Sequence, residues 1–324
     1  MFEDEYTLSK QLGKGSFGEV YLTTKKGSSK KYATKILDKK KFSRNEKIKS
    51  YLDNEIAILK EIKHPNIVKL IDIQETPELC YIVTDYCNGG SLSSCLKQYQ
   101  EKYGTAFPEE IVQHIMRQIM DAMKYLHEKK ILHRDLKSDN ILINYDNEDD
   151  KKNNNIIKGK IKIIDFGFAR YLTKELAGSA RGTPIYMDPG ILLKVNNDKN
   201  YANYAYDEKA DIWSLGILCY ELLVGKTAYD AESMAELLKK IKKGTYYLPE
   251  TISKEATSFI NCMLQSDPKK RLSAKSLCLH EFLDLDEKFW NAFNEMNFDS
   301  ISIQPKFAPF IPGMDFKMTN INII

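Results

Sequence analysis

Asp135, Asn140 and Asp165 are the side chains of this sequence whose types and spacing suit chemistry best. The first two belong to His133-Arg134-Asp135-Leu136-Lys137-Ser138-Asp139-Asn140, and Asp165 opens Asp165-Phe166-Gly167, 25 residues after Asn140. One carboxylate can take a proton from a hydroxyl. An amide oxygen and a second carboxylate can hold a hard divalent cation, which prefers oxygen ligands. That is the minimum equipment for moving a metal-bound phosphoryl group.

Short apolar runs lie beside all three: Lys130-Ile131-Leu132, Ile141-Leu142-Ile143 and Ile161-Lys162-Ile163-Ile164. Strands of that kind can gather the three side chains at one mouth. Upstream, Phe107-Pro108-Glu109-Glu110 places proline and acids where helices begin. Val112, Ile115, Met116, Ile119, Met123 and Leu126 then trace an apolar stripe at helical spacing, so the methionines are core and the helix delivers the chain to His133. A second helix is predicted over 50–62 from Leu52, Ile56, Leu59 and Ile62, with Glu55 beside that face and His64-Pro65-Asn66 ending it. Further strands are expected over 67–73 and 80–84. The apolar stretch Ala210 to Gly225 carries Asp211 and Glu221 and is too short for a bilayer, which makes it a buried helix.

With 324 residues, 43% hydrophobic and 29% charged, the chain has the length for one large domain or two lobes around a real core. A net charge of +3 gives no global case for nucleic acid or a membrane surface. Residues 25–49 are lysine-rich, as a solvated face or, alternatively, a docking patch for an acidic partner. The six cysteines form neither a CxxC pair nor a disulfide framework, and most lie in apolar runs, as buried thiols of a reducing compartment do. The acidic start Met1-Phe2-Glu3-Asp4-Glu5 lacks an apolar signal core. A cytoplasmic monomer is the expectation, there being no coiled-coil heptads.

Gln11-Leu12-Gly13-Lys14-Gly15-Ser16-Phe17-Gly18-Glu19-Val20-Tyr21-Leu22 is a glycine-rich turn between strand-like segments. Glycines let backbone amides approach phosphate oxygens with no Cβ in the way. A dinucleotide-binding turn is the usual competitor, but it should run into a helix. Here Val20-Tyr21-Leu22 continues as a strand and Tyr32-Ala33-Thr34-Lys35-Ile36-Leu37 follows as another.

In this order the motifs resemble those of eukaryotic serine/threonine protein kinases over about residues 6–283. Asp85-Tyr86-Cys87-Asn88-Gly89-Gly90 and Asp165-Phe166-Gly167-Phe168-Ala169-Arg170 are similar to the Unc-51-like kinases, with calcium/calmodulin-dependent and Aurora types nearby. The resemblance implies an α+β bilobal fold: an antiparallel β-sheet N-lobe with the family's helix αC over 1–85, a hinge at about 85–90, and a larger, mainly helical C-lobe over 86–283. Residues 284–324 form an aromatic-rich tail outside the domain, expected to dock on the lobes or on a tail-binding protein. Mg-ATP is the implied cofactor and phosphate donor. Leu12, Gly13, Gly15, Gly18, Val20, Ala33, Lys35, Thr84, Asp85, Cys87 and Leu142 would line the ATP site. Lys35 would grip the phosphates, paired with Glu55. Asp135 would act as base, Lys137 would neutralise the transferring phosphate, and Asn140 and Asp165 would hold Mg²⁺. His133 and Phe166, with Leu59 and Leu70, would form a structural spine, and Asp211 would accept backbone amides of the catalytic loop. In the activation segment, Thr183 would support the acceptor site and Ser179 would be phosphorylated by an upstream activating kinase, the phosphate pairing with Arg134.

The implied function is transfer of the ATP γ-phosphate to Ser/Thr hydroxyls of a protein substrate; the alternative is a pseudokinase scaffold. One departure stands out. The family ends the activation segment with Ala-Pro-Glu, its glutamate pairing with a buried arginine, by resemblance Arg271; here stand Asp188-Pro189-Gly190. Either Asp188 or another acid compensates, or the segment is less firmly anchored. The polar stretches 144–159 and 196–203 read as a flexible hairpin extension and a surface insertion.

Overall fold

The computed structural model describes residues 2–14, 18–40, 46–166, 170–171, 184–196, 198–202, 204, 206–229, 231 and 233–284, with the backbone alone at 46–51 and 170–171. The aromatic tail, Gly15, Ser179 and Thr183 lie outside the described residues.

A short helix α1 (Phe2–Glu5) leads into a five-stranded antiparallel sheet of β1 (Tyr6–Lys14), β2 (Gly18–Lys25), β3 (Lys31–Asp38), β4 (Leu70–Glu75) and β5 (Leu79–Asp85), in spatial order β1-β2-β3-β5-β4. Residues directly opposite in an antiparallel ladder share a face, and alternate residues along a strand point the same way. Val20 opposes Lys35 and Ala33 opposes Thr84. The register therefore puts Val20, Ala33, Lys35 and Thr84 on one face, toward the rest of the molecule. Tyr32, Ile36, Tyr81 and Val83 take the other face, where Phe2 and Tyr6 cover them. Phe2 is 1% exposed and stacks on Tyr81 at 4.1 Å and on Tyr6 at 5.0 Å between ring centroids. Phe2→Ala is expected to cost at most about 3 kcal/mol, the low end for a buried phenylalanine, because the four-residue helix can detach. A thermal midpoint equal to the parent's would mean that the ring does not cover the sheet.

Helix α2 (Glu46–Glu61) starts earlier than its apolar periodicity predicts and buries Glu55 together with Ile58 and Leu59. The helical body follows. Helix α3 (Leu92–Tyr103) is capped by the Ser91 side chain, and helix α4 (Glu109–Glu128) buries the predicted stripe, methionines included. Helix α7 (Glu208–Val224) is buried on nearly every side; the Asp207 side chain caps its start, and Gly225, at φ 80°, closes it in the left-handed conformation that suits glycine. Around it lie α6 (Pro189–Val195), α8 (Met234–Lys243), α9 (Lys254–Met263) and α10 (Ala274–Leu277). Among the described residues no helix is long and apolar enough to cross a membrane.

The stretch 144–159, expected as a hairpin extension, carries regular structure of its own. Past the short strand β6 (Ile131–Leu132), between the antiparallel strands β7 (Ile141–Asn144) and β8 (Lys160–Ile163), stands helix α5 (Glu148–Lys152), its start capped by Asn147 Oδ1 accepting from Asp150 N at 2.7 Å. Tyr145, Ile156 and Ile157 then turn inward and join the central core. Three apolar side chains outweigh a polar composition, because burial and a side-chain cap give the segment what it needs to order. In the second stretch, 196–203, Lys199–Tyr201 form a 3₁₀ turn and Asp198 pairs with Lys242 at 2.8 Å. Lysines of the basic region meet nearby acids, Lys25 with Glu5, Lys39 with Glu75 and Lys40 with Glu78, as a solvated face does.

Candidate active site

The catalytic loop hangs from one buried carboxylate. Asp211, at the start of α7, accepts from His133 N at 2.9 Å and Arg134 N at 2.8 Å, with His127 Nε2 at 3.1 Å and Tyr206 OH at 3.3 Å. Burial alone would raise its pKa, but the bond and charge of His127, with His133 and the Arg134 amide, hold it below the ordinary carboxylate range. Arg134 has φ 71°, a left-handed conformation that costs a non-glycine residue free energy, and the two amide bonds to Asp211 offset that cost.

His133 is held as a packing residue. Its ring meets Phe166 edge-on at 5.1 Å, its Nε2 lies 3.0 Å from Ile164 O, and its Nδ1 lies 3.4 Å from Asp135 N. A carbonyl only accepts and an amide only donates, so the neutral tautomer with its proton on Nε2 satisfies both partners. That ring has no task as a base.

Asp135 lies one residue beyond the strained turn and is 6% exposed. Its Oδ2 accepts from Lys137 Nζ and Asn140 Nδ2, both at 3.0 Å, and its carbonyl accepts a second bond from Asn140 Nδ2 at 2.7 Å. With both amide hydrogens of Asn140 directed at Asp135, its Oδ1 is the atom left to accept. Asn140 is tied in turn to the third residue of the set: Ile164 N donates to Asn140 O at 3.0 Å, immediately before Asp165 at φ 62°. From the sheet side, Lys35 Nζ reaches Glu55 Oε1 at 2.7 Å and Asp165 Oδ1 at 3.6 Å. Burial opposes the lysine's charge, but the two carboxylates outweigh it and hold the ammonium above the ordinary lysine range. Sheet, α2 and catalytic loop thus converge on one polar cluster.

Beside this cluster Val20, Ala33, Thr84 and Leu142 are half-buried, as are Asp85 and Tyr86 in the connection between the lobes, while Leu12 and Gly13 lie exposed on β1. Gly18 has a reason beyond phosphate approach: it opposes Leu37 on β3, and a Cβ there would overlap the carbonyl of Ile36. Cys87 is buried, which pushes its thiol up to about 12 and makes it filler rather than a reactive group. Arg134 is 5% exposed with its guanidinium over the Tyr206 ring at 4.6 Å.

The missing glutamate is replaced from two residues upstream. Asp188 Oδ2 accepts from Arg271 Nη1 at 2.5 Å, both side chains being wholly buried. The space a side chain at 190 would occupy is filled by the Tyr204 ring, whose hydroxyl donates to Asp188 at 3.3 Å. A polar trio that no motif announces lies next to it: Tyr186 OH bonds to Glu221 and lies 3.2 Å from Ser138 Oγ, linking 184–188 to the catalytic loop. Tyr204 and Glu221 carry no local signal, since neither belongs to a motif and only the fold brings them there.

A family model described as a protein kinase domain matches residues 6–283. The chain is 34% identical over 287 residues to serine/threonine-protein kinase atg1 of Dictyostelium discoideum, covering 87% of this chain and 40% of that protein. It is 35% identical to serine/threonine-protein kinase ULK3 of Xenopus laevis, covering 87% and 56%, and 32% identical to a probable myosin light chain kinase of Dictyostelium discoideum, covering 86% and 83%. The chain thus spans about half the length of the first two relatives.

Proposed function

The chain belongs to the protein kinase domain family, and on that premise we propose that it transfers the γ-phosphoryl group of ATP to serine or threonine hydroxyls of protein substrates. The observation that carries the reading is the convergence of Lys35, Glu55 and Asp165 from one side with Asp135, Lys137 and Asn140 from the other. A non-catalytic scaffold would leave this arrangement without a task.

Each residue's part follows from its chemistry. Val20, Ala33 and Leu142 supply apolar surface for an adenine ring, with the backbone of residues 85–87 at its edge. Lys35, kept charged by Glu55, meets the α- and β-phosphates. Among the described residues no group of three or more His, Cys, Asp or Glu side chains could hold a metal alone. Mg²⁺ does not need one, since it is commonly held by one or two protein oxygens completed by phosphate and water. Asn140 Oδ1 and the Asp165 carboxylate fit that role, and Mg²⁺ bound there supplies charge neutralisation at the phosphates. Asp135 orients the acceptor hydroxyl and takes its proton as the oxygen bonds to phosphorus and the bond to the departing ADP breaks. Lys137, 3.0 Å from Asp135, stands ready to neutralise charge on the group in transfer. Ser179 is the proposed activating phosphosite, acted on by an upstream kinase, and Thr183 the support of the acceptor site.

The test is transfer of labelled phosphate from Mg-ATP to a generic basic protein and to the chain itself, with Asp165→Asn as the paired control. Transfer by the parent, and a loss of at least about a hundredfold in the variant, is expected. An inert parent, even after treatment with an activating kinase, would overturn the proposal.

A further inference from the structure

The excursion between β7 and β8 is bolted to the segment that joins the two lobes. Asn88 Nδ2 donates to Tyr145 O at 3.1 Å, and Tyr145 N donates back to Asn88 Oδ1 at 2.8 Å. One residue on, Gly89 N donates to Ile143 O and Ile143 N to Gly90 O, both at 2.9 Å. The packing there has no slack: a Cβ at Gly89 would overlap the Tyr145 ring and the Ile143 carbonyl. Tyr145 is 3% exposed, and its hydroxyl donates to Asn154 Oδ1 at 3.1 Å. Asn154, at φ 49°, sits just past α5, where its amide and that of Asn155 close the helix end on Lys151 O and Asp150 O. A continuous set of directional contacts therefore runs from α5 through Asn154 and Tyr145 to Asn88, the residue after Cys87.

We propose that this excursion positions the nucleotide site, with Asn88, Tyr145 and Asn154 as positioning residues for adenine binding. The backbone of residues 85–87 and the side chain of Leu142 must sit at a fixed separation to hold a flat ring between edge and floor. Leu142 is in β7 and Asn88 follows Cys87 directly, so the Asn88–Tyr145 clamp sets that separation. The inference rests on the adenine site named under Proposed function. It goes further in giving the excursion a task that its polar composition does not suggest.

The experiment is calorimetric titration of the full chain with ADP and Mg²⁺, followed by kinetics with ATP and a basic peptide. Asn88→Ala removes both bonds of the clamp, Asn88→Asp keeps the acceptor for Tyr145 N but loses the donor, and Tyr145→Phe cuts only the link to Asn154. Lys160→Ala, which breaks the exposed Lys160–Asp146 pair of the same hairpin, is the control. Asn88→Ala is expected to weaken ADP binding about tenfold, equivalent to about 1.4 kcal/mol, the scale of two net hydrogen bonds. Asn88→Asp and Tyr145→Phe should fall between it and the parent, and Lys160→Ala should match the parent. KM for ATP should rise in parallel, with kcat and the peptide KM unchanged. A parent that binds ADP while Asn88→Ala and Asn88→Asp bind it equally well would overturn this inference alone. So would losses confined to kcat. A parent that binds no ADP would overturn the proposed function along with it. Should Asn88→Ala not fold, the Asn88→Asp and Tyr145→Phe affinities decide the matter.

Discussion

Asp188→Ala is expected to destabilise the fold by about 3–5 kcal/mol, the range found when one partner of a buried ion pair is removed. Arg271 has no exposed side-chain surface and cannot lose its charge. Beyond Asp188, its guanidinium donates to Lys209 O and Gln265 O, each at 2.8 Å, and lies over the Trp213 ring at 5.0 Å. Those contacts hold its orientation but bring no negative charge. The same carboxylate caps α6, accepting from Ile191 N at 3.0 Å, so the helix start is lost with it. Urea denaturation of parent and variant measures the difference, and an unchanged midpoint would sink the account. Restoring the family's glutamate should not rescue the variant: in Asp188→Ala/Gly190→Glu the new side chain meets the Tyr204 ring. Adding Tyr204→Ala to that pair opens the space, and partial recovery of the midpoint is expected.

Asp135→Asn is expected to lower kcat for protein phosphorylation by about 10²–10⁴-fold, the usual worth of a positioned general base. The amide keeps the size of the carboxylate and can still accept from Asn140, but it cannot take up a proton at neutral pH. Its Lys137 contact loses a charge as well, so the transferring group sees a less ordered cation. Because the proposed adenine and phosphate contacts lie on other residues, ADP affinity and the unfolding midpoint should stay near the parent's. Steady-state rates on a peptide, set beside calorimetry on the same preparations, separate the two effects. A rate within tenfold of the parent's would remove Asp135 from the base role. Asp165→Asn differs in kind: it removes the negative charge, and one of the two oxygens, of the proposed Mg²⁺-holding carboxylate beside Lys35, so its loss should come with weaker Mg²⁺ dependence of nucleotide binding.

What was legible in the chain follows the range over which each signal acts. The apolar stripe from Val112 to Leu126 is a local periodicity, and it reappears as the buried face of α4. The Gly-rich turn followed by a strand excluded a dinucleotide-binding fold, because two consecutive strands need only local alternation to declare themselves. Asp135, Asn140 and Asp165 were recognisable as a set because motif order compresses a tertiary juxtaposition into linear spacing.

Other features had no local signature. The stretch 144–159 reads as polar and loose until Ile156 and Ile157 find a core built by residues far away in the chain. Gly190 reads as a lost anchor until the fold places Asp188 against Arg271 and the Tyr204 ring into the vacated space. The sequence by itself determined the element types, the family resemblance and the chemistry of the cluster, since those depend on periodicity, turn residues and motif order. Only the tertiary structure decided which carboxylate neutralises Arg271, which hydroxyl joins Glu221 and what Asn88 holds. Pairing between distant side chains is a matter of burial and geometry, and neither is encoded in any short window of the chain.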